Sequence, residues 1–203
     1  MSTERPWILL VSGGTASGKS AIVSRLVERT GAAHIGHDRY YFDVPEPRGH
    51  DFDHPSALET ELLVSHVTAL QSGQSPKLPV YDFSRHARCS QVEVLSPSPL
   101  IVVEGILVMN EPKLVALADL CVFVDAPEAL RLSRRIARDV RERGRTEESV
   151  LTQYAETVQP NHDRFVQPSK AHAELVLDGS RPIEESVERL IQAIPQSVFV
   201  RLL

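Results

Sequence analysis

The sequence has little cysteine and no long apolar run, and each shortage excludes a class of protein. Its 203 residues include two cysteines, Cys89 and Cys121, which are too few for a disulfide framework or a zinc cluster. No apolar stretch approaches the ~20 residues that span a bilayer, and the first residues lack the apolar core of a signal peptide. We therefore expect a cytoplasmic protein with no membrane partner.

Positive charge is also in short supply. Against 27 Asp and Glu there are 22 Lys and Arg, giving a formal net charge of −5. Such a balance provides no general attraction to phosphate backbones, so we predict no nucleic-acid partner. The Asn-Lys-x-Asp motif that reads guanine is absent, which makes a GTP-binding switch the weaker alternative. A chain of this length supports one sizeable core, so a single domain is expected over residues 1–203.

A glycine-rich motif follows an apolar stretch near the start of the chain. It consists of Gly13, Gly14, Thr15, Ala16, Ser17, Gly18, Lys19 and Ser20. In this strand–loop–helix context the pattern is a P-loop, whose backbone N–H groups and helix N-terminus bind phosphate. We expect Lys19 to reach the β- and γ-phosphates and the Ser20 hydroxyl to bind Mg²⁺. The motif therefore predicts binding of a nucleoside triphosphate with Mg²⁺.

Strand-like and helix-like segments alternate along the rest of the chain. This order favours an α/β fold with a central parallel sheet, and together with the P-loop motif it predicts the three-layer P-loop NTPase type. A helix is predicted over 18–30 with Gly31 as its C-cap, followed by a strand over 32–35. A further helix is predicted to begin at a capping box formed by Ser56 and Glu59. Residues 74–99 contain two strand-like runs and predict a small β-hairpin excursion.

An apolar run over 100–105 predicts a strand buried on both faces, ending in Glu104. The last residue of such a strand lies at the ligand edge of the sheet. Glu104 is therefore the candidate Walker-B carboxylate, acting with Ser20 on Mg²⁺. The alternative is a strand-terminal glutamate that faces solvent.

Seven arginines lie between Arg131 and Arg145, on a helix predicted to start at Pro127. Its periodicity predicts a buried stripe, an opposite solvated line and a third line on one flank. The stripe comprises Leu132, Ile136 and Val140, the solvated line Arg134 and Arg141, and the flank Arg131, Arg135 and Arg138. With Arg143 and Arg145 around a predicted break, the pattern indicates an arginine lid over 131–160. A charged surface helix and an RNA-binding patch remain the alternatives.

Two segments offer groups for a phosphoryl acceptor. Asp38, just after the second predicted strand, is placed to take a proton from an attacking hydroxyl. Residues 51–55 and 79–86 combine aromatic rings, carboxylates and imidazoles, which suits a neutral, planar, polyhydroxylated ligand. Taken singly, such residues are more often turn formers or surface residues.

From about residue 7 to residue 179 the chain resembles the uridine kinase members of the phosphoribulokinase/uridine kinase family of P-loop kinases. The glycine-rich motif carries this resemblance together with several motifs in the family's order. These are His37-Asp38, Phe52-Asp53-His54-Pro55, Pro79-Val80-Tyr81-Asp82-Phe83, Glu104-Gly105-Ile106-Leu107, Arg131-Leu132-Ser133-Arg134-Arg135, Glu142-Arg143-Gly144-Arg145 and Pro168-Ser169-Lys170.

The resemblance implies a kinase that transfers phosphate from ATP, with Mg²⁺, to the 5′-hydroxyl of uridine or cytidine in pyrimidine salvage. Asp38 and Lys19 would be the catalytic residues. The nucleoside would be bound by Asp53 and Arg135 at the ribose, Tyr81 and His86 at the base, and Phe52, Phe83, Tyr41 and Gln153 around them. Arg138, Arg143 and Arg145 would close on the triphosphate. The resemblance also implies a homo-oligomer, commonly a tetramer, with feedback inhibition by CTP or UTP.

Several positions depart from the family pattern. The stretch 41–53 is short, Arg39 stands where a small or neutral residue is usual, and Asn161 stands in place of an expected Met. An alternative acceptor is a phosphorylated sugar, a pantothenate-like acid or a nucleoside monophosphate. Cations would have to bind such an anionic acceptor, and Arg39, Arg48, Arg85 and Arg88 are the candidates.

Overall fold

Seven strands are present in the computed structural model of the chain, which describes residues 5–46 and 50–202. In chain order they are β1 (Trp7–Gly13), β2 (Ala33–Gly36), β3 (Lys77–Asp82), β4 (Ala87–Val94), β5 (Leu100–Glu104), β6 (Leu120–Asp125) and β7 (Leu175–Asp178). Five of them form one parallel sheet in the order β2-β5-β1-β6-β7. The predicted α/β fold with a central parallel sheet is confirmed.

Helices connect these strands across both faces of the sheet. They are α1 (Lys19–Thr30), α2 (Thr60–Gln71), α3 (Pro112–Leu117), α4 (Glu128–Arg143), α5 (Glu147–Gln153), α6 (Gln159–Asn161), α7 (Gln167–Ser169), α8 (Ile183–Ala193) and α9 (Gln196–Val200). Two π-helical turns, Tyr154–Val158 and His162–Val166, join α5, α6 and α7 into one helical run that continues to residue 172. Within the described ranges, no helix has both the length and the apolar character to cross a bilayer.

The core consists of two apolar clusters, one on each face of the sheet. Successive residues of β1 alternate between them, with Leu10 in one cluster and Leu9 in the other. Side chains of α2 fill the first cluster, and those of α1 and α8 fill the second. A central parallel strand has no solvent-facing side, which explains why β1 and β5 are continuous apolar runs.

Most of the predicted elements are confirmed. Helix α1 ends at Gly31, whose φ of +70° is the left-handed conformation of a C-cap. Strand β2 lies one residue later than predicted, and β3 and β4 form the expected antiparallel hairpin. These elements carry local signals, namely a glycine stop and alternating apolar residues, that neighbouring segments do not override.

The predicted capping box at Ser56 and Glu59 is wrong. Ser56 donates its backbone N–H to the ring of His54 at 3.2 Å, and Pro55 begins a 3₁₀ turn instead. Helix α2 starts at Thr60, and the Glu59 carboxylate forms an ion pair with Arg88 at 2.6 Å. The motif predicted two reciprocal bonds, each between the side chain of Ser56 or Glu59 and the backbone N–H of the other residue. Instead, the His54 ring caps the 3₁₀ turn, and the Glu59 side chain pairs with Arg88.

The predicted buried stripe of α4 is also wrong. Arg131, Arg135 and Asp139 are the buried residues of this helix, whereas Val140 is 44% exposed. Arg134, predicted to be solvated, donates to the Gly179 carbonyl at 2.8 Å. The helix packs through its charged flank because Arg131 donates to the Ala126 carbonyl and Arg135 donates to the Thr15 hydroxyl. The apolar pattern could not reveal these contacts. The break after Arg143 is confirmed by Gly144, whose φ is +61°.

Candidate active site

The glycine-rich loop connects β1 to α1 in a compact left-handed path. Gly13 has a φ of +146°, and a Cβ placed there would lie 2.4 Å from the carbonyl oxygen of Val124. Gly18, directly before α1, has a φ of +105°. Only glycine adopts these positive φ angles without strain, and only glycine leaves room for the Val124 carbonyl at position 13. The loop therefore brings its backbone N–H groups together at the N-terminus of α1, which is an arrangement that binds phosphate.

Ser20 and Glu104 meet where α1 begins and β5 ends. The Ser20 Oγ donates to the Glu104 Oε2 at 3.0 Å, and Glu104 is 7% exposed. A hydroxyl and a carboxylate are hard oxygen donors that suit Mg²⁺, which takes its other ligands from water and phosphate oxygens. No group of three or more His, Cys, Asp or Glu side chains that could hold a metal occurs among the residues described. The donor set thus fits a Mg²⁺ ion that arrives with a nucleotide.

A cleft of about 1020 Å³ opens beside this pair. Its walls come from the P-loop, the turn after β2, the β3–β4 hairpin and the arginine-rich helix α4. The lining residues are Thr15, Lys19, Ser20, Asp38, Tyr41, Phe52, Asp53, Tyr81, Phe83, Ser84, His86, Ile106, Arg135, Arg138, Glu142, Arg143, Arg145 and Gln153. One cleft therefore brings together all the side chains predicted for the nucleoside with Lys19 and the three lid arginines predicted for the nucleotide. Of the other P-loop residues only Thr15 and Ser20 line it, and Glu104 does not. Ser84, Ile106 and Glu142 also line the cleft, although none of them was singled out as a site residue.

Asp38 lies in the 3₁₀ turn His37–Tyr40, directly after β2, and its side chain is exposed at the cleft. The preceding His37 is buried, with Nε2 3.1 Å from the Thr60 hydroxyl. Burial lowers the pKa of His37 to about 4, and the negative charge of Asp38 only partly opposes this shift. His37 is therefore neutral near pH 7 and anchors the turn, and Asp38 is the residue of this turn that lines the cleft.

Aromatic rings form the far wall of the cleft. Tyr41 contacts Phe52 edge-on and Tyr81 in a tilted arrangement, each with ring centroids 5.6 Å apart. Phe52 stacks on His86 at 5.0 Å, and Tyr81 meets Phe83 at 5.1 Å. His86 has a φ of +50°, which is uncommon for a residue other than glycine. Its carbonyl accepts the Val44 N–H at 2.8 Å, so the hairpin tip is held against the loop that follows Asp38.

Arg135 links the P-loop to the opposite wall. Its guanidinium donates to the Thr15 hydroxyl at 2.9 Å and to the Gln153 side-chain oxygen at 3.0 Å. Burial raises the pKa of Asp53, and Arg135 is the first of the cations that oppose the shift. In turn, burial lowers the pKa of Arg135, and the charge of Asp53 opposes it. For each of these two buried groups, the charge of the other therefore opposes the pKa shift that burial causes.

Asp139 was missed by the sequence analysis. It is fully buried in α4, and guanidinium nitrogens of four arginines surround its carboxylate. They belong to Arg138 at 2.8 Å, Arg143 at 3.4 Å, Arg145 at 3.6 Å and Arg135 at 3.7 Å. An aspartate four residues from both Arg135 and Arg143 is a helical ion-pair spacing, the signal that could have identified it.

The cations considered for an anionic acceptor lie elsewhere. Arg39 pairs with Glu93 at 2.5 Å. Arg88 donates to the carbonyls of Tyr40 and Tyr41 and joins the hairpin to the turn that holds Asp38. Neither of them, nor Arg85, is a lining residue of the cleft. Arg48 lies outside the described residues.

The chain is similar to known proteins over most of its length. The chain matches the family model described as Phosphoribulokinase / Uridine kinase family over residues 45–182. It is 44% identical over 210 residues to a uridine kinase of Chloroflexus aurantiacus, covering 96% of this chain and 100% of that protein. With a uridine kinase of Clostridium tetani it shares 35% identity over 204 residues, covering 97% and 98%.

Solved structures show the same fold. Phosphoribulokinase from Rhodobacter spheroides aligns with a TM-score of 0.63 at 20% identity, covering 90% of this chain and 75% of that one. D-glycerate 3-kinase from Cryptococcus neoformans aligns with a TM-score of 0.61 at 15% identity, covering 81% and 80%. The shared feature at these identities is the P-loop kinase fold alone.

Proposed function

The chain belongs to the phosphoribulokinase/uridine kinase family, and from this premise we propose that it phosphorylates uridine and cytidine at the 5′-hydroxyl, using ATP with Mg²⁺. One observation carries the proposal. A single cleft contains the P-loop residues Lys19 and Ser20, the carboxylate of Asp38 and an aromatic wall that suits a nucleoside. The curated relatives described above are named uridine kinase, which supports the choice of acceptor.

In the proposed reaction the 5′-oxygen of the nucleoside attacks the γ-phosphorus of ATP. The bond from that phosphorus to the bridging oxygen breaks, and the hydroxyl proton passes to Asp38, which leaves the nucleoside monophosphate and ADP. Lys19 and the arginines over the cleft neutralise charge that spreads over the transferred group. When bound by Ser20 and Glu104, Mg²⁺ would supply further positive charge beside the phosphates.

The nucleoside side of the cleft supports a neutral acceptor. Asp53 and Arg135 are the proposed ribose ligands, while Tyr81 and His86 are the proposed contacts of the pyrimidine. An imidazole offers either a donor or an acceptor, so His86 accommodates a 4-oxo or a 4-amino base. An anionic acceptor would instead need free cations at this end, and Arg39 and Arg88 are already engaged by carboxylates.

A coupled assay of ADP formation tests the proposal. Purified protein receives ATP and Mg²⁺ with uridine, cytidine, deoxycytidine, UMP or ribulose 5-phosphate, one at a time. We expect turnover with uridine and cytidine and none with the two phosphorylated acceptors. Turnover confined to UMP or ribulose 5-phosphate would overturn the proposed acceptor while leaving the kinase chemistry in place.

The assembly and location of the protein also enter as proposals. We propose one kinase domain over residues 1–203, in a cytoplasmic homo-oligomer for which a tetramer is the first form to test. The family resemblance supports this, and both cysteines are unpaired, as in a reducing compartment. Light scattering coupled to size-exclusion chromatography gives the mass in solution, and a monomer at working concentration would overturn the oligomer. CTP and UTP belong in the same assay as candidate inhibitors.

A further inference from the structure

The segment 51–54 carries Phe52 and Asp53 into the cleft, and the helical run from α5 to residue 172 holds this segment at two points. His54 meets Phe165 edge-on, with ring centroids 5.1 Å apart. The Asp51 carboxylate meets the side chain of Asn161, the last residue of α6. The run that supplies Gln153 to one wall of the cleft thus also supports the opposite wall.

The contact between Asn161 and Asp51 is two-pronged. The Asn161 Nδ2 lies 2.8 Å from Oδ1 and 2.7 Å from Oδ2 of Asp51. The same Oδ1 accepts the backbone N–H of Asp53 at 3.1 Å. Two hydrogen bonds therefore connect a side chain of the helical run to the backbone of a residue that lines the cleft.

Both ends of this connection, Asn161 and Asp53, are buried. Asn161 is 7% exposed and Asp53 is 8% exposed, and Asp51, which lies between them, is half-buried. Loss of the Asn161 amide would therefore leave a partly buried carboxylate without this donor. Asp51 and Asp53 are both carboxylates, and the charge of Asp51 adds to the burial that raises the pKa of Asp53. The amide of Asn161 gives the Asp51 carboxylate a donor from the helical run, and we expect this contact to hold the carboxylate against the Asp53 backbone N–H.

We propose that Asn161 is a positioning residue for the acceptor, which acts through Asp51 to fix the backbone at Asp53. The inference rests on the proposed function, in which Asp53 binds the ribose. Asn161 contacts no substrate itself. Its effect should therefore fall on the KM of the nucleoside and not on that of ATP, whose P-loop site is built by β1 and α1.

Three variants separate positioning from general stability. Asn161→Leu removes the amide, and the double change Asp51→Asn with Asn161→Asp restores an amide–carboxylate pair with its direction reversed. Asp163→Leu is the matched control, because Asp163 forms a similar pair with the Gln159 amide, at 3.0 and 3.1 Å, on the exposed side of the same run. Steady-state kinetics with uridine and with ATP are measured for each.

We expect Asn161→Leu to raise the uridine KM about tenfold, while the ATP KM and kcat stay within about twofold of the parent. The reversed pair should recover most of this loss, and Asp163→Leu should show none. A uridine KM unchanged in Asn161→Leu, an equal rise in both KM values, or a reversed pair no better than the single change would each overturn the inference.

Hydrogen exchange at the backbone N–H of Asp53 gives a second readout, which requires neither a nucleoside nor enzymatic turnover. We expect faster exchange in Asn161→Leu and parental exchange in the reversed pair. If the parent protein does not phosphorylate uridine but the amide responds in this way, the proposed function fails and the positioning role stands. If the parent phosphorylates uridine but the Asp53 amide exchanges at the same rate in Asn161→Leu as in the parent, the positioning role alone is rejected.

Discussion

Ser20 Oγ and Glu104 Oε2 lie 3.0 Å apart, and their hydrogen bond joins the first turn of α1 to the carboxyl end of β5. The two residues are 84 positions apart in the chain. They meet because β5 pairs with β1 in parallel, with Glu104 opposite Val11, shortly before the P-loop begins. The adjacency of two central strands therefore creates the proposed Mg²⁺ site.

Glu104→Gln should weaken the apparent affinity for Mg²⁺ without unfolding the protein. The amide oxygen still accepts from Ser20, but the negative charge that favours a divalent cation is lost. We expect the Mg²⁺ concentration at half-maximal rate to rise about 10- to 100-fold. Initial rates across a Mg²⁺ titration at fixed ATP measure this, and a superimposable titration curve would remove Glu104 from the proposed site.

Asp38→Asn should separate chemistry from binding. The amide fills the same space but cannot accept the proton of the attacking hydroxyl, so kcat should fall about 10²- to 10⁴-fold. ATP binding, measured by calorimetry, should stay close to that of the parent because Asp38 lies in the turn after β2 and not in the P-loop. A kcat near the parental value would show that another group takes the proton.

Local signals in the sequence were enough for the sheet, the P-loop and the hairpin. Glycines at 13 and 18 indicate a backbone conformation that other residues avoid, and the structure has positive φ at both. Continuous apolar runs indicate strands buried on both faces, as β1 and β5 are. The same local signals predicted that Asp38 and Glu104 lie at the carboxyl edge of the sheet, and the structure has Asp38 just after β2 and Glu104 at the end of β5.

Polar contacts between residues that are distant along the chain could not be predicted from the sequence. In α4 the apolar spacing predicted a buried face at Leu132, Ile136 and Val140, but the structure buries Arg131, Arg135 and Asp139. Burial of charge depends on partners such as Thr15 and Gln153, which are distant along the chain. The Asn161–Asp51 contact, across 110 positions, has the same character.

Asp139→Asn should destabilise the protein far more than its conservative nature suggests. The change removes the only negative charge in direct ion-pair contact with Arg135, Arg138 and Arg143 within the described chain, and leaves Arg135 buried. Breaking a buried ion pair from one side costs about 3–5 kcal/mol. Urea denaturation should show a fall of about that size in the free energy of unfolding.

Glu142→Gln is the matched control for this change. It removes the neighbouring carboxylate of the same helix, whose partner Arg141 is exposed. Exposed pairs contribute little, so the free energy of unfolding should change by less than about 1 kcal/mol. Equal losses in both variants would mean that burial of Asp139 confers no special stability.

His37 should make the stability of the protein depend on pH below neutrality. Its folded-state pKa is about 4 against an ordinary value of 6.5, so between these values the unfolded state binds more protons. The stabilising contribution of neutral His37 is complete above pH 6.5 and is lost as the pH falls towards 4, about 3 kcal/mol in all. His37→Gln removes this titration and leaves an amide to face Thr60. Urea denaturation at pH 7.5 and pH 4.5 should therefore show a smaller loss in the variant, and parallel losses would contradict the buried, neutral state of His37.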